Sequence, residues 1–367
     1  MVTGLSFPAR PEQLEADWLT DVLREAGCLE TGRVTAFKTE PISAGVGFVG
    51  QIVRIDLTYD PPLPAAPPTL IGKFPTSQDW GRQVAALYRL FSSEVSFYRH
   101  VAPAVSLRTP RCYRHEINDD GTEFVLLLED MSPSGRLGDQ VPGCSKADAE
   151  LAMRKLAELH AAFWDNSALD QLEWLSSLAD LARRSFGEVY PQGWKPFIET
   201  YGHMLSPEVR TAAPTLNERL LRLVDELEGR TSTLVHGDYR LDNFFFGNAD
   251  SGYDLAVVDW QVTSRGFGSY DLTWFLGGNL EPDQRRKLEW SLLELYCATL
   301  EENGVTGYTM ERCREEYVKT MAAILGTVIA NFASFDPTNE RGVALFEMLL
   351  RRYSAAVSDL DSLAALP

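Results

Sequence analysis

The chain has 367 residues, enough for one large or two ordinary domains with a substantial core. At 45% hydrophobic and 23% charged residues, without repeat or low-complexity tract, it has the composition of a globular protein. A formal net charge of -18, from Asp+Glu 52 against Lys+Arg 34, argues against nucleic acid or an anionic membrane surface as a partner.

Pro11 to Ala26 carries apolar residues at 14, 18, 19, 22 and 23, the stripe of a helix. Val34 to Ile42 is β-like and leads into SAGVGFVGQ, after which Gln51 to Tyr59 alternates apolar and polar residues as a half-buried strand does. DPPLPAAPP, Asp60 to Pro68, suits neither helix nor central strand and reads as a loop. TLIGKFP resumes as a short strand carrying Lys73, and a single helix is expected from about Gly81 to Val101, with Leu87, Leu90, Phe91, Val95 and Tyr98 on one face. Glu123 to Leu128 is a strongly apolar strand running into EDMSPSG.

Past Gly135 the character changes. Ser145 to Trp164 is an amphipathic helix, and most of the remainder to Leu366 reads helical. The exception is a predicted hairpin of FFF, a turn GNADSG, and YDLAVVDW. The expected fold class is therefore α+β in two parts. A sheet-rich part spans residues 1–127, a hinge 128–135, and a helical part 136–367.

Cysteines at 28, 112, 144, 297 and 313 form no CxxC pair, which argues against a zinc site or a disulfide framework and fits a reducing compartment. MVTGLSFPARPEQLEADW shows no basic start followed by an apolar run, and Ala322 to Phe335 is too short and interrupted to span a bilayer. A cytoplasmic protein without a membrane span is expected.

Gly45, Gly47 and Gly50 form a literal GxGxxG. A dinucleotide-binding turn would need a helix after Gly50, whereas the period-two segment there points to a strand. Strand, glycine loop and strand can make a flap whose backbone N–H groups cover phosphates; an ordinary glycine-rich hairpin turn is the plain alternative. Lys73, inside an apolar strand, must snorkel outward or find a negative partner, and Glu94 on the following helix is a candidate for that partner.

His236-Gly-Asp238-Tyr-Arg-Leu-Asp242-Asn243 places a carboxylate and an amide in one loop, and Asp259 is expected to end the strand LAVVD on the other arm of the hairpin. Asn243 and Asp259 could together grip one hard cation such as Mg2+, leaving Asp238 free to orient an attacking hydroxyl and accept its proton. A polar turn in which Asp238 is merely a cap is the alternative for the residues taken singly.

HGDYRLDN with VVDWQ resembles the catalytic and metal motifs of the aminoglycoside phosphotransferase and choline kinase superfamily, which shares the protein-kinase-like fold. GVGFVG, IGKFP, SSEVSFYRH, VLLLEDM, LAELHAAFW and SYDLTWFL extend the resemblance over most of the chain, and DWLTDVL and LLLEDM look closest to its ecdysteroid-kinase-like branch. The resemblance implies a two-lobed fold: an N-lobe of antiparallel sheet with a helix, and a larger helical C-lobe. It implies Asp238 as the catalytic aspartate, Asn243 and Asp259 as Mg2+ ligands, and Lys73 on the nucleotide phosphates paired with Glu94. Gly45, Gly47 and Gly50 and the backbone of Glu129, Asp130 and Met131 would meet the nucleotide. His236 would brace the loop and Asp271 would hold it by hydrogen bonds. His160 is at least as well read as a packed core histidine, and Arg240 either faces a phosphate or pairs with Asp242.

Trp260-Gln261 follows the metal aspartate where protein kinases carry Phe-Gly, and about a dozen residues separate Asp259 from Asp271, too few for the long activation segment that carries a peptide substrate. A small-molecule kinase acting on a hydroxylated acceptor is therefore expected, with ATP as donor and GTP open as an alternative. A catalytically inactive nucleotide-binding regulator is the competing reading. Trp164, Trp174, Trp194 and Trp274 suit an apolar or ring-bearing acceptor, or else belong to the core.

Overall fold

The computed structural model describes residues 5–42, 50–332 and 338–367, which fall into two compact units. The first comprises residues through 104, then 108–135 and 257–262; the second comprises 105–107, 136–256 and 263–367.

In the first unit, helix α1 (Ala16–Glu25) precedes strands β1 (Arg33–Pro41), β2 (Gly50–Asp60) and β3 (Thr69–Pro75). Helices α2 (Asp79–Leu87) and α3 (Leu90–His100) follow, then strands β4 (Cys112–Ile117) and β5 (Phe124–Glu129). The five strands make one antiparallel sheet in the order β1-β2-β3-β5-β4. Strand periodicity divides its residues between two faces. Val53 and Ile55 of β2 and Leu70 and Phe74 of β3 are buried together with Leu19, Val22 and Leu23 of α1. Lys73, one residue out of phase with Leu70 and Phe74, emerges on the opposite face of the central strand β3.

Two local expectations are corrected and one strand is added. The helix expected over 81–101 is two helices, because Arg89 adopts a left-handed backbone (φ 55°) as the N-cap of α3. No glycine or proline marks that break, so the periodicity alone ran through it. The stripe at 11–26 is a short 3-10 turn at Pro11–Gln13 followed by α1, with Leu14 and Glu15 extended between them. Strand β4, CYRHEI, escaped notice because all its residues are half-buried and no apolar alternation results.

The second unit is mainly helical. It contains α4 (Lys146–Ala162), α5 (Leu178–Arg184), α6 (Tyr190–Tyr201), α7 (Pro207–Glu228), α8 (Ser269–Asn279), α9 (Pro282–Glu302), α10 (Met310–Asn331), α11 (Glu340–Asp359) and α12 (Ser362–Ala365). Ser145 caps α4 by accepting the Asp148 N–H. Helix α10 is buried along Met321, Ile324, Leu325, Val328 and Ile329, and packs against α6, α8 and α11. Among the described residues no helix is long and apolar enough to cross a membrane.

Short strands frame the polar loops. Strands β6 (Gly135–Leu137), β8 (Phe244–Gly247) and β9 (Leu255–Val257) form a small sheet, and β7 (Thr233–Val235) pairs antiparallel with β10 (Ser264–Gly266). Residues 236–243 thus run between the buried strand β7 and β8.

Candidate active site

The first unit gathers Lys73, Glu94 and Asp259. Lys73 Nζ lies 2.6 Å from Glu94 Oε1 and 2.8 Å from Asp259 Oδ1. Lys73 is 9% and Glu94 4% exposed, so the ammonium is held in a poorly hydrated place by two acids. Burial by itself would lower the lysine pKa, but the charges of Asp259 and Glu94 outweigh it and raise the value, so the ammonium persists. The Glu94 carboxyl is pushed up by burial, more than Lys73 draws it down.

Asp259 does not end a strand. Strand β9 stops at Val257, and Asp259 lies beyond it in a left-handed backbone (φ 66°), with Gln261 Nε2 donating to its Oδ2 at 3.2 Å. Trp260 fixes this turn: it is fully buried, its indole N–H donates to Val257 O at 3.1 Å, and its ring stacks on Phe97 at 4.0 Å and 6°. Phe97 stands three residues after Glu94 on α3, so neighbouring turns of one helix meet both Lys73 and the Asp259 segment. The role of Trp260 went unread in the sequence, where it appeared only as a departure from a motif.

At 129–131, Glu129 accepts from Arg108 (2.6 and 2.8 Å) and from Arg111 N–H (2.9 Å). Asp130 accepts from Ser132 and lies 3.2 Å from Arg54 Nε, and Met131 is buried. Gly45 and Gly47 lie outside the described residues. Gly50 opens β2 opposite Pro75. A strand, not a helix, follows it, which removes the dinucleotide-binding reading.

The second unit gathers the loop 236–243. Asp271, fully buried on the first turn of α8, accepts the backbone N–H of His236 at 2.7 Å and of Gly237 at 2.8 Å. His160, also fully buried, contacts Asp271 Oδ2 at 3.4 Å and Tyr296 Oη at 2.7 Å, the position of a packed core histidine. His236 Nδ1 accepts the Asp238 N–H at 3.2 Å.

The Asp238 carboxylate is hydrogen-bonded on both oxygens. Its Oδ2 accepts from Arg240 Nε (2.9 Å) and Asn243 Nδ2 (3.1 Å), and its Oδ1 accepts from Trp274 Nε1 (3.1 Å). Arg240 lies between two acids, since its Nη1 also reaches Asp242 at 3.2 Å. Asp242 further accepts the Gln140 N–H at 2.9 Å and pairs with Arg341 at 3.3 Å. Of the remaining tryptophans singled out, Trp164 packs edge-on against Tyr308, and Trp174 and Trp194 are half-buried.

Oxygen donors of the kind Mg2+ takes occur in each unit by itself. Asn243 Nδ2 donates to the Asp238 carbonyl (2.9 Å) and carboxylate (3.1 Å), so its amide Oδ1 is the atom that could ligate a cation. Glu94 and Asp259 together carry one negative charge more than Lys73 neutralises. Among the described residues no group of three or more His, Cys, Asp or Glu side chains could hold a metal by itself. A cation beside Asp259 would take few protein oxygens and complete its shell with phosphate or water, as Mg2+ commonly does.

A family model described as ecdysteroid kinase-like matches residues 44–305. Acyl-CoA dehydrogenase family member 11 from Gallus gallus is 26% identical over 167 residues, 45% of this chain and 20% of that protein; the match thus spans about a fifth of that relative's length. The chain superposes on a spectinomycin phosphotransferase bound to ADP and spectinomycin with a TM-score of 0.54 and 12% identity, covering 95% of this chain and 99% of that one. Plasmodium vivax ethanolamine kinase gives 0.55 at 12% identity, covering 92% and 87%. A variant of aminoglycoside 2'-phosphotransferase-IIIa in complex with GDP gives 0.52 at 13%, covering 90% and 95%. At such identities the shared property is the fold, an α+β arrangement of antiparallel sheet and helical part.

Proposed function

This chain belongs to the ecdysteroid kinase-like family, and we propose that it transfers the γ-phosphoryl group of ATP to a hydroxyl of a small organic molecule. The observation that carries this reading is the buried Lys73 ammonium held at 2.6 and 2.8 Å by Glu94 and Asp259. A permanently charged donor fixed on a central strand suits phosphate oxygens, and the surplus acid beside it suits a divalent cation.

In the proposed reaction Lys73 donates to the α- and β-phosphates while Glu94 keeps it oriented. The backbone of Glu129, Asp130 and Met131, with Gly45, Gly47 and Gly50, would meet the nucleotide. Asn243 and Asp259 would hold Mg2+, which when bound neutralises phosphate oxygens. Asp238 orients the acceptor hydroxyl and takes its proton as the new O–P bond forms and the bond from the γ-phosphorus to the bridging oxygen breaks, releasing ADP. His236 and Asp271 hold the loop that carries it. A lipid-like or steroid-like alcohol as acceptor is suggested by the family resemblance alone, and the short segment between Asp259 and Asp271 favours a small molecule over a peptide.

The guanidinium bonded to Asp238 Oδ2 gives one specific argument for a second reading, a nucleotide-binding protein without turnover. An ADP-release screen over sterols, aminoglycosides, macrolides and sugars, with ATP and GTP each tried as donor, separates the two. Asp238→Asn should abolish acceptor-dependent ADP release while nucleotide affinity is kept. Undiminished phosphorylation by that variant would overturn the assignment.

A further inference from the structure

Trp274 was singled out in the sequence only as an aromatic that suits an acceptor or the core. Its surroundings give it a different task. The Asp238 carboxylate has about four lone-pair positions. Among the described residues, Arg240 Nε and Asn243 Nδ2 occupy those of Oδ2, and the Trp274 indole N–H takes one on Oδ1. Among the described residues, one acceptor position, on Oδ1, remains.

Helix α8 supplies the anchor. Asp271 and Trp274 stand three residues apart, so successive turns of one helix face present both side chains to the same loop. Asp271 holds the backbone at His236 and Gly237, and Trp274 holds the carboxylate at Asp238. The indole itself has little room to turn. It is 8% exposed, lies nearly parallel to the Tyr270 ring at 5.9 Å and 16°, packs against Tyr353 at 6.3 Å, and its own carbonyl accepts the Tyr353 O–H at 2.8 Å.

We propose that Trp274 is a positioning residue for phosphoryl transfer: its indole N–H fixes the rotation of the Asp238 carboxylate so that the single open position on Oδ1 receives the acceptor hydroxyl. This rests on the role given to Asp238 above. No simple hydrophobic replacement reproduces the group, because the required property is a rigid N–H donor and not an apolar surface. Phenylalanine keeps the ring and removes the donor; histidine keeps a ring N–H.

Two measurements test it on the full chain. In the first, ADP release from ATP·Mg2+ is followed with water as the acceptor. Trp274→Phe should lower kcat at least roughly tenfold, the lower end of what one hydrogen bond to a charged group is worth, with KM for ATP unchanged and part of the rate restored in Trp274→His. A kcat within twofold of the parent, or a parallel loss of ATP affinity and kcat without rescue, overturns the proposal. The second measurement needs no turnover. In protein labelled with 15N-tryptophan, the indole N–H resonance absent from Trp274→Phe should move on Asp238→Ala, and an unmoved resonance overturns the proposal. A parent that releases no ADP with any acceptor, yet shows the resonance shift, means that the carboxylate is held as described and the phosphotransfer reading has failed.

Discussion

Lys73 and Asp259, 186 positions apart in the chain, meet at 2.8 Å. The lysine stands on a central strand and the aspartate on a left-handed turn that Trp260 pins to α3. With Glu94 as second partner, the ammonium satisfies two acids, and its removal leaves both facing each other in a poorly hydrated place.

Lys73→Met should therefore lose more than phosphate binding. Removing one partner of a buried ion pair typically costs about 3–5 kcal/mol, because the remaining charge is uncompensated. Urea unfolding should show a loss of that order, and Glu94→Gln in the same chain should recover part of it. The pH dependence follows from the raised lysine value. A raised pKa means stability that is fully present below the unfolded lysine value, about 10.4, and lost as pH climbs through the higher folded value. Stability measured from pH 7 upward should fall above about pH 10 in the parent, with that component missing in Lys73→Met.

Gly138 gives a steric test of the loop. Its N–H donates to Phe244 O at 2.9 Å, and a Cβ there would run into the backbone carbonyl of Leu241, inside the proposed catalytic loop. Backbone cannot step aside as the end of a flexible side chain can. Gly138→Ala should destabilise by about 1–3 kcal/mol, the ordinary cost of overpacking. It should also slow ADP release while nucleotide binding, measured by calorimetry, stays near the parent value. Wild-type stability and turnover together would show that the loop gives way freely.

Glu281 offers a pH test remote from Asp238. Hydrogen bonds from Arg351, against the opposing effect of burial, and then from Arg352, hold its carboxyl down to about 2. A depressed carboxyl contributes stability that is present above the ordinary glutamate value of about 4.3 and is lost as pH falls towards 2. Solvent screening reduces the size of the effect, since the side chain is 43% exposed. Acid unfolding of Glu281→Gln should begin from a lower plateau and change less between pH 4 and about 2 than the parent does. Equal steepness in the two proteins would refute this origin of the acid sensitivity.

Much of the fold could be read along the chain because it is written in local periods. Val53 and Ile55 alternate with polar neighbours because one face of β2 meets the core, and the Ser145-to-Trp164 stripe repeats with a helix because one side of α4 is covered. Where the local pattern carried no mark, the reading failed: Arg89 breaks a helix without glycine or proline, and β4 is half-buried on both faces.

Residue types and their order determined which groups were worth watching. A lysine in an apolar strand, an acid on the next helix, and an aspartate and asparagine sharing one loop each imply an unmet charge or hydrogen bond, whatever the fold. Only tertiary structure decided how those needs are met, because the partners lie far apart in sequence and no local rule links them. Lys73 gained a second acid in Asp259. Trp260 became the pin of a turn, and Asp238 received Arg240, Asn243 and Trp274. Sequence periodicity reports how much water a side chain sees; packing alone determines which atom takes the water's place.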